Sequence, residues 1–287
     1  LAYGSVEIRE NESNKYIYVH YREDGVALTK YVGEYSDELY NLVLNNSIKA
    51  KQLKKQIREI TKKLKQLNYT EEELSEKVEQ NIDFAKRHLV DTIYKQAILE
   101  GVATTFADTE SIIEGGKVNN MTSEDILKIV NLKHAWEFIL NKNVILSDTN
   151  FALLCEINKM VEEGFYYTAG KVRNTPVTIG GTTWKPDLPI ESVIKEELEE
   201  IFSKELDDID RAIELLLYTM KKQVFIDGNK RTAVIYSNHY LISKGKGIIA
   251  IPAELTEEFK DLLIPYYEGK DENKIREFIK EKCYMSI

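Results

Sequence analysis

The chain has 287 residues, 43% hydrophobic and 30% charged, which suits a soluble protein with one large domain and a small appendage. Its formal charge of −9 argues against a surface given over to nucleic acid, and two cysteines, Cys155 and Cys283, cannot build a disulfide framework. No apolar run approaches the roughly 20 residues of a membrane helix and no segment resembles a signal peptide, so a cytoplasmic location without a membrane partner is expected.

Leu1 in place of a Met reads as a trimmed or processed start. The segments Lys15–Tyr21 (KYIYVHY) and Val26–Val32 (VALTKYV) are β-branched and aromatic. Asp24 and Gly25 between them tolerate positive φ, a tight-turn signal. A small β-hairpin or three-stranded meander is expected over 1–35, leaning on another element because two strands alone are marginal in water. Ser36, followed by Asp37 and Glu38, is an N-cap. A second helical run places Leu53, Ile57, Ile60, Leu64 and Leu67 at alternating spacings of 4 and 3, a coiled-coil-like stripe. Between Lys49 and Lys65 stand eight basic residues and one acidic residue, Glu59. That run fits a solvated helix face, or a surface for nucleic acid or an acidic partner. Thr70 and Glu73 form a capping box for the next helix, whose face is Leu74, Val78, Ile82, Ala85, Leu89, Ile93 and Ala97. A helical hairpin turning near Asn68 is expected, with residues 36–81 covering the basic helix and the first part of the hairpin.

Helical grammar returns at Thr122 or Ser123 and again in SDTNFALLCEINKMVEEG, which stops at Gly164. Residues 169–189 are rich in Gly, Thr and Pro and cannot be helical. Thr175–Ile179 and Thr182–Trp184, around Gly180-Gly181, read as a hairpin. Helices resume at Ile190, with a last one near Asn273 to Cys283, so the chain is mainly α.

The segment FIDGNKR, Phe225 to Arg231, carries the strongest chemistry. Gly228 permits a turn of unusual φ, and the following RTAVIYSNHYLI continues as a helix. The N–H groups of Gly228, Asn229, Lys230 and Arg231 would then face outward at a helix N-terminus, an anion site reinforced by two cations. Asp227 would repel a phosphate there unless a cation such as Mg²⁺ bridged them. A simple capped turn with surface Lys and Arg fits the same residues.

QVFIDGNKRTA resembles the active-site motif of the Fic/Doc family, His-x-Phe-x-Asp/Glu-Gly/Ala-Asn-Gly/Lys-Arg. Gly170, Arg173, Val177, Ile179, Gly180, Pro186 and Pro189 follow that family's flap, and AILEGVATT (Ala97 to Thr105) is similar to the segment that carries its inhibitory helix. The resemblance runs from about Ile82 to Cys283 and implies a Fic-fold helical bundle over 82–287, with a β-hairpin flap at 169–189 and an active-site loop at 223–231. It implies ATP as co-substrate, Mg²⁺, and transfer of AMP to a hydroxyl of a protein target. Asp227 would hold the metal and Gly228, Asn229, Lys230 and Arg231 the phosphates. Phe225 would anchor the loop, and Tyr266 and Tyr267 would lie near the adenine. Val177, Thr178, Ile179 and Gly180 would pair with the target as an edge strand.

Three positions depart from the pattern. Gln223 stands where the family has its catalytic His, and a carboxamide is a poor base although it can orient a hydroxyl. Lys230 resembles the phosphate-transferring Doc branch. Val234 replaces the second Arg of AMP-transferring members, the partner of the inhibitory Glu. Glu100 is the inhibitory candidate, with Gln96 in place of the usual Ser or Thr four residues earlier; Glu114 is a second. A weak or atypical adenylyltransferase, a non-catalytic nucleotide- or peptide-binding protein, and a Doc-like phosphotransferase are the three functions this leaves.

Overall fold

The computed structural model describes residues 4–11, 14–23, 26–66, 73–119 and 121–287. They fall into two compact units, Leu1–Glu72 and Glu73–Ile287.

In the first unit β1 (Ser5–Glu10), β2 (Lys15–Glu23) and β3 (Val26–Glu34) form an antiparallel meander in that order. Alternation along β2 explains its two faces. Ile17 and Val19 are buried, while Tyr18 meets its cross-strand partner Tyr31 with ring centroids 5.5 Å apart. The expected Asp24-Gly25 turn lies outside the described residues. Helix α1 (Asp37–Gln66) is one unbroken rod of 30 residues, joining the two helical runs read from the sequence. Ser36 caps it, its hydroxyl accepting the Leu39 N–H at 3.1 Å. The first turns of α1 pack on β1, where the Gly4 N–H donates to Ser47 Oγ at 3.4 Å. Further along, Leu53, Ile57 and Ile60 are 49%, 61% and 56% exposed, so the heptad stripe faces solvent.

The second unit is a helical bundle. It contains α2 (Glu76–Arg87), α3 (Leu89–Leu99), α4 (Phe106–Ile113), α5 (Ser123–Ile139), α6 (Lys142–Ile145) and α7 (Phe151–Val161). There follow α8 (Glu191–Ser203), α9 (Asp208–Lys222), α10 (Asn229–Ser243), α11 (Thr256–Tyr267) and α12 (Glu272–Phe278). Thr122, Asn150 and Asp207 cap α5, α7 and α9 through side-chain oxygens, as short polar residues before apolar runs should. Helix α2 is capped by Ser75, which accepts the Val78 N–H; Thr70 and the turn near Asn68 lie outside the described residues. The sequence reading drew a boundary at Ile82, whereas the units divide before α2. Val78, Asn81, Ile82 and Ala85 belong to the second core, and Asn81 Oδ1 accepts the Gly247 N–H.

Helix α10 is buried on every face from Arg231 to Ile242, the mark of a central rod rather than a surface helix. It touches α2, α5, α6, α7 and α9. A short antiparallel pair, β4 (Ile248–Ile249) with β5 (Tyr284–Met285), closes one end. Asn238 of α10 pins β4: its amide donates to Ile249 O, and its Oδ1 accepts the Ile249 N–H, both at 2.8 Å.

The flap differs from expectation. A turn forms at Gly180-Gly181, but no strand ladder joins its two arms among the described residues. The buried Arg173 guanidinium spans them instead, donating to the carbonyls of Thr175 and Asp187 at 2.8 and 2.6 Å. One side chain thus replaces the ladder. No described helix is long and apolar enough to cross a membrane.

Asn238→Ala is expected to strand the buried Ile249 N–H and C=O and to destabilise the second unit by about 1–3 kcal/mol. A denaturant titration of the full chain measures it, and a loss within a few tenths of a kcal/mol would show that β4 does not depend on this side chain.

Candidate functional site

The loop between α9 and α10 is shaped by two left-handed residues. Gln223 ends α9 at φ 49°, ψ 58°, and Gly228 starts α10 at φ 71°, ψ 8°. At Gly228 only glycine fits, since a Cβ would also lie 2.3 Å from Glu162 Oε1. Gln223 has a Cβ and so holds a sparsely populated conformation, a cost the surroundings must offset. Its carbonyl accepts from Arg173 Nε at 2.6 Å, its amide donates to Met220 O at 2.7 Å, and its Oε1 accepts from Asn229 Nδ2 at 3.2 Å.

Asn229 is buried and folds back over the loop. Its Oδ1 accepts the Phe225 N–H at 2.9 Å and its Nδ2 donates to Phe225 O at 2.8 Å. That clamp holds Phe225 in the core. Any role of Asn229 toward a ligand therefore falls to its backbone N–H, because the side chain is committed. Asn158 of α7 adds a second tie, donating to Asp227 O and Thr232 Oγ1 and accepting the Gly170 N–H. The backbone amides of Asn229, Lys230 and Arg231 have no acceptor among the described residues, as expected for the first turn of a helix.

The charges converge on Arg231, whose side chain is 2% exposed. Its NH2 lies 2.7 Å from Glu162 Oε1 and 3.6 Å from Asp227 Oδ2, and its Nε lies 3.5 Å from Glu100 Oε2. Lys230 Nζ is 3.5 Å from the other oxygen of Glu100. Three carboxylates thus face two cations. Burial pushes the Glu162 carboxyl up to about 7, against the pull of Arg231 and with help from Asp227 and Glu100. Sequence reading missed Glu162. It sits at the end of α7, where VEEG reads as an ordinary polar helix terminus, and only the approach of α7 to α10 brings it to Arg231.

Glu100 ends α3 and does reach Lys230 and Arg231. Gln96, one turn earlier, is buried and bridges two elements, donating to Arg231 O at 2.7 Å and accepting from Trp136 Nε1 at 3.0 Å. Glu114 is exposed at the end of α4, and Val234 is in the core. Tyr266 and Tyr267 are buried. Trp184 of the flap stacks on Tyr267 at 5.7 Å, and Lys221 Nζ lies 4.7 Å over the Tyr266 ring. Val177 and Ile179 of the flap are half-buried, Thr178 and Gly180 exposed.

Asp227 keeps 52% of its side chain exposed, with Oδ1 taking its neighbour's Gly228 N–H. Among the described residues no group of three His, Cys, Asp or Glu is arranged to hold a metal. A lone exposed carboxylate fits Mg²⁺ in the mode where substrate phosphates and waters complete the shell. His239 is buried, bonded to Thr149 Oγ1 and Val144 O, and burial lowers its pKa. Burial pushes the thiols of Cys155 and Cys283 up to about 12, away from the reactive thiolate form.

Fold and site together define a helical-bundle protein of the Fic fold, organised around a loop that feeds one buried helix. Residues 148–241 match the Fic/DOC family model. Solved structures with the same fold include residues 134–508 of Fic-1 from C. elegans, 18% identical, with a TM-score of 0.56 over 85% of this chain and 73% of that one. A Fic domain containing signaling protein from Bacteroides thetaiotaomicron is 19% identical, with a TM-score of 0.56 over 72% and 80%. A Fic family protein from Desulfovibrio desulfuricans is 14% identical, with a TM-score of 0.58 over 79% and 69%. At these identities the likeness is one of fold. No curated protein matches the sequence.

Glu162 gives the site a pH signature. Its folded pKa near 7 lies above the ordinary 4.5, so the native state holds the proton more tightly. The resulting stability is fully present below about 4.5 and is lost as pH rises through about 7. Glu162→Gln, neutral throughout, is expected to flatten that part of the stability–pH profile. Denaturant unfolding at both ends of the window checks it, and an unchanged slope in the variant would sink the assignment.

Proposed function

We propose that the chain binds ATP as its Mg²⁺ complex at loop 223–231 and transfers AMP to a protein hydroxyl only slowly. The observation that carries this reading is the loop itself. Its left-handed Gly228, the Asn229 clamp and the open amides of Asn229, Lys230 and Arg231 favour an anion at the head of α10. Asp227 would hold Mg²⁺, which neutralises phosphate charge and offsets the local excess of carboxylates. The phosphates would meet Lys230 and Arg231 by displacing Glu100 from them. The half-buried Val177 and Ile179 of the flap support seating a target segment beside the loop.

Slowness follows from Gln223. Its amide is spent on Met220 O and Asn229, and a carboxamide cannot take a proton from the attacking hydroxyl. A positioned base is worth roughly 10² to 10⁴ in rate. The tied Gln223 also favours a second reading, a Fic-fold protein that holds nucleotide or peptide and transfers nothing.

Incubation with Mg²⁺ and ATP labelled at the α- or γ-phosphate separates the readings. The proposal expects faint α-label on protein for the natural sequence and an increase of roughly 10² to 10⁴ for Gln223→His. Label only in the histidine variant would favour the binding reading, and γ-label alone a Doc-like phosphate transfer. Absence of ATP binding by calorimetry in both forms would remove the nucleotide site altogether.

A further inference from the structure

Two features have no part in the loop chemistry. One is the exposed stripe of α1. The other is a cleft of about 1170 Å³ on the second unit, bounded by α7, α8 and the segment 145–150, to which no residue of 223–231 contributes. That volume exceeds the roughly 300–1,000 Å³ of small-molecule sites and suits a helix or extended segment. Its apolar lining includes Ile145, Phe151, Leu198 and Phe202. Around this lie Asp148, Glu156, Glu191, Glu199 and Asp208, against Lys195, Arg211 and Lys244, an excess of two negative charges.

The cations are already engaged. Lys195 pairs with Glu191 at 2.6 Å, Arg211 donates to the carbonyls of Ile201, Phe202, Lys204 and Leu206, and Lys244 lies over the Tyr240 ring at 5.5 Å. Asp148 and Glu199 make no ion pair among the described residues. The cleft therefore offers apolar surface bordered by unpaired carboxylates. An occupant should present apolar side chains flanked by Lys or Arg.

The chain supplies such an occupant. From Lys49 to Lys65 α1 carries eight basic residues and one acidic residue, and Leu53, Ile57 and Ile60 stand exposed on one stripe. Pairing of two such helices along this stripe would set Lys49 and Lys63, which flank it, against their own kind, while the one acidic residue, Glu59, lies off the seam, a repulsive arrangement. We propose that α1 of one copy docks in this cleft of a second copy, and that the exchange is reciprocal. A two-fold exchange repeats the same contact twice, so two modest patches add toward the roughly 1,200–2,000 Å² of a stable interface.

Sedimentation equilibrium of the full chain over a concentration series tests this. A reversible dimer that weakens as salt rises is expected. Ile57→Ser in α1, or Asp148→Lys with Glu199→Lys in the cleft, should each weaken it by roughly tenfold or more. These positions are exposed, and unchanged circular dichroism shows that the fold survives. Lys49→Glu with Lys63→Glu should also weaken it and should restore association when combined with the two cleft reversals. A monomer at every concentration overturns the proposal. So does a dimer sensitive to Ile57 but indifferent to Asp148 and Glu199, since that is helix self-pairing.

Discussion

The site depends on one buried cation. Arg231 is closed off from solvent and held between Glu162, Asp227 and Glu100, from the ends of α7 and α3 and from the loop itself. A buried guanidinium left without a carboxylate would cost roughly 3–5 kcal/mol, so the three elements are constrained to meet at this point. Glu162 is the closest partner and the most deeply buried. Its carboxyl lies directly behind Gly228, which is why the loop must turn there with a residue that has no side chain.

A second constraint works through the backbone. Arg173, buried and without an acidic partner among the described residues, spends its donors on main-chain carbonyls of the flap and of Gln223. The flap base and the start of the loop are therefore one hydrogen-bonded unit, and the strained conformation of Gln223 is held from both sides. Gln223 is thus over-determined by structure. Replacing it with histidine changes a ring of contacts as well as a proton acceptor, since the bonds to Met220 O and Asn229 belong to the amide.

Much of the architecture was legible in the sequence because it rests on local signals. Ser36, Thr122 and the 3.6-residue stripes marked helices, and FIDGNKR marked the loop before α10. The continuity of α1 was not legible, since a change from mixed to basic composition near Lys49 resembles a junction. The flap was read as a hairpin from Thr, Val and Gly-Gly, yet its arms are joined through Arg173, a long-range tie that no local pattern announces. Glu162 was hidden for the same reason. Its importance comes from proximity to a residue 69 positions further along the chain, and nothing beside it in sequence distinguishes it from Glu163. Glu100 was found only because a family pattern pointed to it.

Gln96 sets a limit on how the site can open. It is bonded at once to Trp136 and to the carbonyl of Arg231, so α3 is moored to α5 and α10 one turn before Glu100. Sliding α3 away would break two buried hydrogen bonds together. Release of Lys230 and Arg231 from Glu100 would therefore come from a change of side-chain rotamer within a fixed frame rather than from movement of the helix.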